Sequence, residues 1–195
     1  MAALIIFGLI IVVSVSGFAA RAVITHNLFR PFWFLPRRQY WTVISNGFVH
    51  ADLAHLLFNC ITYWAFAFQL QRAIGQGRFV ALYFIGLVLS NVGTYFKHRR
   101  DPDYASLGAS GAILAVLFAS VVYFPRNSIS VLPIPIAIPA PLFAACYLAY
   151  TFYAARLARG RINHDAHFDG ALAGLAFVAL TDPAAWLRAW HLVIR

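Results

Sequence analysis

Six stretches of about 15 to 23 residues in this chain are mainly apolar, and their length dictates the solvent they need. They run from Ala2 to about Ile24, Asp52 to Gln71, Phe79 to Phe96, Gly108 to Phe124, Pro139 to Leu157 and Ala166 to Leu180. A helix needs about 20 such residues to cross the hydrocarbon layer. Its backbone polar groups must then be satisfied inside the segment, because lipid offers no partner. The expected architecture is therefore all-α and integral to a membrane: a bundle of six transmembrane helices forming one domain over residues 1–195. No soluble domain is expected, since the connections are too short to hold one. Composition agrees. Hydrophobic residues make up 62% and charged residues 11%, against about 45–50% and about 25% in soluble domains.

The first run lacks a basic segment before it, is long for a signal peptide and shows no small-residue cleavage site before Arg21, so it reads as a retained span. Cys60 and Cys146 each fall inside an apolar run and read as small core residues. The net charge of +9 is spread over the segments between runs. That places Lys and Arg at membrane surfaces and gives no basic face for nucleic acid. The connection from Thr25 to Val49 mixes Phe29, Trp33, Tyr40 and Trp41 with Arg30, Arg37 and Arg38. It reads as a loop lying in the membrane interface. The proline-rich stretch Val131–Pro141 cannot continue a helix and reads as an extended lead-in to the fifth run.

In an alternating bundle the second, fourth and sixth helices start from the same side, and those three starts carry the unusual polar residues. The second opens with His50-Ala-Asp-Leu-Ala-His55-Leu-Leu-Phe-Asn59. His55 and Asn59 are four apart and share a face, with Asn59 about 10 Å deeper than Asp52. The fourth opens with Gly108-Ala109-Ser110-Gly111, which puts Ser110 in a first turn whose N–H groups and dipole favour developing negative charge. The sixth opens with Ala166-His167-Phe-Asp-Gly170-Ala-Leu-Ala-Gly174. Singly, each has a plainer explanation: interhelical hydrogen bonds for His55 and Asn59, small-residue packing for the glycines, a surface position for His167. Together they say more. Ser110 lies one residue before the stripe Gly111, Ala115, Ala119, and His167 one residue after the start of the stripe Ala166, Gly170, Gly174. If the stripes pack, a hydroxyl and an imidazole start at similar depth on adjoining parallel helices, as a nucleophile and its base must.

These three runs, in this order, resemble the rhomboid intramembrane proteases, and the segment Gln39–His50 is similar to the rhomboid lead-in to the second helix. The resemblance covers about Gln39 to Leu180. It implies a serine endopeptidase that cleaves the transmembrane segments of single-span membrane proteins near a membrane interface, by a Ser-His dyad and an acyl-enzyme, with no metal and no cofactor. Ser110 would be the nucleophile and His167 its base. His55, Asn59 and the backbone at Ala109 and Ser110 would face the oxyanion. His50 would organise the first loop, and Gly108, Gly111, Gly170 and Gly174 would shape the site. Two positions depart from the family pattern: Thr42 follows Trp41 where Arg is usual, and Leu114 stands one turn after the nucleophile where Tyr or Phe usually packs on the His. The second departure predicts a less tightly held His167. Asp169, two residues from His167, should point to another face and serve as loop or interface polarity.

Zinc chemistry of the His-Glu-x-x-His type is excluded, because all six acidic residues are Asp. The competing readings are an inactive rhomboid relative that binds membrane clients, and a small transporter, which would need ionisable residues along a whole path. The resemblance further implies a bacterial inner membrane with the site facing outward. The cations argue the other way. Arg21, Arg30, Arg37, Arg38, Lys97, Arg99, Arg100, Arg156, Arg159 and Arg161 lie on the site's side, against Arg72, Arg78, Arg126, Arg188 and Arg195 on the other. The positive-inside rule taken literally would turn the site to the cytoplasm.

Overall fold

The computed structural model describes residues 1–131, 136–157 and 163–194. Arg159, Arg161, Arg195 and the middle of the proline-rich stretch lie outside the described residues. The chain is a helical membrane bundle. Each of the six apolar runs coincides with a helix, and the helices differ in length. α1 (Ala2–Ala19) ends where Ala20 turns extended, and α2 (Arg21–Asn27) follows as a separate short helix. The first run is thus broken before Ile24. Two single-turn helices, α3 (Pro31–Phe34) and α4 (Thr42–Ser45), punctuate the aromatic loop. Asp52 caps α5 (Leu53–Ile74) by accepting the His55 backbone N–H at 2.8 Å. Gly75, at φ +83°, turns the chain directly into α6 (Gln76–His98), a left-handed position that favours glycine.

α7 (Ser110–Tyr123) is the bundle's centre, with every residue from Gly111 to Val122 buried. It stops before Pro125, which cannot continue it. Its 14 residues rise only about 21 Å, while α5 and α6 rise about 33 and 35 Å. A loop must supply the missing depth, and several backbone groups of the 99–109 segment are bonded to protein. Phe29 and Ser106 exchange N–H···O bonds at 3.0 and 2.9 Å, and the Gly108 N–H donates to the Asn46 carbonyl at 2.9 Å.

After α7, β1 (Ser128–Ser130) pairs antiparallel with β2 (Ala137–Pro139), so the expected extended lead-in is one arm of a short hairpin. α8 (Ala140–Leu157) and α9 (His164–Thr181) follow, then α10 (Pro183–Ile194), which leaves α9 at 107° and has no counterpart among the six runs. By length and apolarity, α1, α5 and α6 can each cross a membrane, and α9 can if counted with α10. Large apolar side chains such as Leu57, Phe58, Trp64 and Leu180 face outward, as lipid solvent permits.

Contact between small residues sets the directions of the central helices. A Cβ on Gly170 would overlap the Gly111 backbone, and one on Gly174 the Ala115 backbone. Both numbers rise together, so α7 and α9 run parallel. Gly86 meets Ala115 and Ser90 meets Gly111, so α6 runs antiparallel to them. The two small stripes therefore pack as the sequence spacing required.

Candidate active site

The α7–α9 seam brings Ser110 and His167 to the same end of two touching helices. Ser110 Oγ lies 2.9 Å from His167 Nε2. Ser110 is the first residue of α7, where the backbone N–H groups have no partner within the helix. Ala109, fully buried, is that helix's N-cap. Gly108 sits at φ +116°, a conformation that side chains rarely adopt, and a Cβ there would fall 2.8 Å from His55 Cε1. Glycine thus serves both the turn into α7 and the close approach of the His55 ring.

Asn59 is buried on α5, one turn below His55, and donates one N–H to the His55 carbonyl at 3.2 Å. A carboxamide carries two such donors, so one remains for another acceptor. His50 is fully buried. Its Nδ1 lies 2.7 Å from Ser14 Oγ, and that hydroxyl donates to the Phe48 carbonyl at 2.9 Å. With its only proton used, Ser14 must accept from His50 Nδ1–H. His50 therefore ties the entry to α5 against α1, with its ring edge against His55 at a centroid distance of 4.8 Å. Burial, with a smaller push from His55, lowers the His50 pKa to about 3, so the ring is neutral there.

Three features escaped sequence reasoning. Tyr147 on α8 places its hydroxyl 3.1 Å from His167 Nδ1. Tyr147, Tyr150 and Tyr153 look alike in the sequence, so no local signal singles out the first. The partner that an aromatic residue in place of Leu114 would offer from α7 comes instead from α8. Ser14 was legible only as a hydroxyl in an apolar run. Behind Ser110 a small polar recess is lined by Asn46, Ser90, Asn91, Ser106 and Asn163. Asn46 and Asn91 are joined there by an amide hydrogen bond of 3.0 Å.

Asp169 does face away from His167, as helical spacing requires, but it is not loop polarity: its carboxylate packs against Gly93 of α6. Asp165 is held by Lys97 at 2.8 Å, and Lys97 also donates to the Ala155 carbonyl at 2.6 Å. Among the described residues, then, no carboxylate stands behind His167. Among the described residues no cluster of His, Cys, Asp or Glu could hold a metal ion.

A family model described as Rhomboid domain matches residues 37–183. The rat presenilin-associated rhomboid-like protein, mitochondrial (Rattus norvegicus), is 29% identical over 166 residues, covering 76% of this chain and 42% of that protein. Rhomboid protein 1, mitochondrial, of Saccharomyces cerevisiae is 27% identical over 139 residues, covering 70% of this chain and 40% of that protein. The Bacillus subtilis (strain 168) relative YdcA is 37% identical over 78 residues, covering 40% of this chain and 38% of its own length. The chain spans about two fifths of the length of the relatives it matches.

Proposed function

The chain belongs to the rhomboid family, and on that premise we propose that it is an intramembrane serine endopeptidase whose nucleophile is Ser110 and whose general base is His167. The observation that carries this reading is the 2.9 Å contact between Ser110 Oγ and His167 Nε2 at the head of two helices locked by backbone contact. In the first step Ser110 Oγ bonds to the substrate carbonyl carbon and its proton passes to His167 Nε2. The peptide C–N bond then breaks and the leaving amine takes that proton. Water repeats the sequence on the acyl-enzyme, and the polar recess beside Ser110 offers it hydrogen-bond partners. The developing oxyanion is met by first-turn N–H groups of α7, by the remaining donor of Asn59 and by His55. The substrates are single-span membrane proteins entering from the bilayer.

The test is labelling with a fluorophosphonate in detergent. Wild type labels, and Ser110→Ala does not. His167→Ala labels at least about a thousandfold more slowly, because nucleophile and base act as a unit. Asn59→Ala slows labelling about tenfold, less than the loss of a sole oxyanion donor, because His55 shares the load. Equal labelling of wild type and Ser110→Ala would sink the assignment.

The matched relatives are mitochondrial as well as bacterial. The family therefore carries the integral membrane location and not the bacterial inner membrane. We further propose that the site opens on the side away from the N-terminus and outside the compartment of synthesis. On this reading the arginines of the aromatic loop snorkel to lipid phosphates in place of obeying the charge rule; Arg37 is stacked over the ring of Trp33 at 3.8 Å, and Trp prefers the membrane interface. A cysteine at Asp103, with Cys60 and Cys146 replaced, should react with an impermeant maleimide in intact cells. Reaction only after lysis means the opposite orientation.

A further inference from the structure

We infer that Tyr147 is a positioning residue for the dyad: its phenol oxygen accepts the Nδ1–H of His167 and holds the ring in the tautomer whose Nε2 lone pair meets Ser110. The inference rests on the proposed base role of His167. A neutral imidazole has one N–H and one lone pair, so its two hydrogen bonds must have opposite senses. Nε2 takes the Ser110 proton at 2.9 Å only if Nδ1 carries the ring's own proton. That N–H needs an acceptor, and the Tyr147 hydroxyl stands 3.1 Å away. The chain's nearby carboxylates are engaged elsewhere, Asp165 with Lys97 and Asp169 against Gly93. A neutral phenol therefore occupies the place behind the base that a carboxylate holds in a serine triad.

The phenol is itself held by packing. The Tyr147 ring stacks on Phe143, with centroids 5.5 Å apart and planes at 25°, and lies 5.9 Å from Phe118 of α7. When Ser110 gives up its proton, the imidazolium keeps its Nδ1–H on the phenol oxygen. The phenol stays neutral and passes no proton, and the proton delivered to the leaving amine comes from Nε2. Tyr147 acts through His167 and touches no reacting atom.

The experiment is Tyr147→Phe, which keeps the ring and its stacking and removes the hydroxyl. The readouts are the rate of fluorophosphonate inactivation from pH 5 to 9, the split between kcat and KM on a single-span substrate, and thermal stability in detergent. The other titratable groups near His167 are His164, one turn earlier with ring centroids 6.1 Å apart, and His55 from α5. Both are unchanged in the variant. At neutral pH inactivation should slow about tenfold, the size of one neutral hydrogen bond. The loss should fall on kcat, with KM and stability little changed. The rising limb of the pH–rate profile should move to lower pH, because an imidazolium without its acceptor loses its proton more readily. A limb moved to higher pH would mean that Tyr147 donates to Nδ1 and holds the opposite tautomer. A limb left in place would mean that the residue only packs. Either result overturns the inference, whereas a wild type that fails to label overturns the protease reading itself.

Discussion

α7 and α8 follow one another in the chain and are both apolar, yet they are held in opposite ways. α7 is buried along almost its whole length and meets α9 through glycine, so that backbone touches backbone at Gly111–Gly170 and Ala115–Gly174. α8 buries only Ala140, Ala144 and Thr151, while Leu142, Tyr150, Tyr153 and Leu157 are more than half exposed. The proposed dyad, Ser110 and His167, stands on the tight seam. The hydroxyl behind it, Tyr147, stands on the loosely held helix. A separation of 2.9 Å between two side chains is kept constant only where the helices bearing them cannot slide, and glycine against carbonyl leaves no side chain to give way. Movement of α8 would leave the spacing of α7 and α9 intact and act on the tautomer and orientation of the His167 ring.

The difference can be broken most forcefully from the seam. In Gly170→Val the new side chain would meet the backbone of Gly111, which is itself fixed by Ser90 on its other side. Overpacking usually costs about 1–3 kcal/mol. Here the obstacle is main chain on both helices, so the expected loss is about 3 kcal/mol or more, read as a collapse of the thermal transition in detergent. Any folded fraction should label with fluorophosphonate far more slowly than wild type, because the seam must open and carry His167 away from Ser110. A variant that is both stable and reactive would show that the seam does not set the dyad.

What the sequence reveals divides along the same line. The stripes Gly111-Ala115 and Ala166-Gly170-Gly174 repeat every four residues, and that period, with the parallel direction of the two helices, predicts Ser110 beside His167 once the stripes pack. Glycine in an apolar helix is legible because it has one main use there, close approach. The short α7 and the break at Ala20 were not legible, since apolar runs end gradually and the deciding contacts are tertiary. α10 escaped because a twelve-residue amphipathic segment is shorter than a span. Tyr147 escaped for a different reason. Its role depends on which of three similar tyrosines a loosely packed helix turns inward, and only the assembled bundle selects it.

The loose helix supplies the smallest expected effect and the sharper half of the comparison. Leu142 is 55% exposed and Tyr153 65% exposed, on the face of α8 that lipid covers. Lipid tails are as apolar as leucine, so truncating these side chains exchanges one apolar neighbour for another and opens no cavity in protein. Leu142→Ala and Tyr153→Ala should each change stability by less than about 0.5 kcal/mol. Both should label with fluorophosphonate at the wild-type rate, because the Tyr147 ring is packed by the rings of Phe143 and Phe118, whereas the ring beside Tyr153 is that of Phe152. The measurement is thermal unfolding in lipid nanodiscs alongside labelling. If either variant lost stability on the scale expected for Gly170→Val, α8 would be as firmly built into the bundle as α7. If it kept stability but slowed labelling, the outer face of α8 would control how Tyr147 meets His167, and the division between a rigid seam and an independent α8 surface would fall.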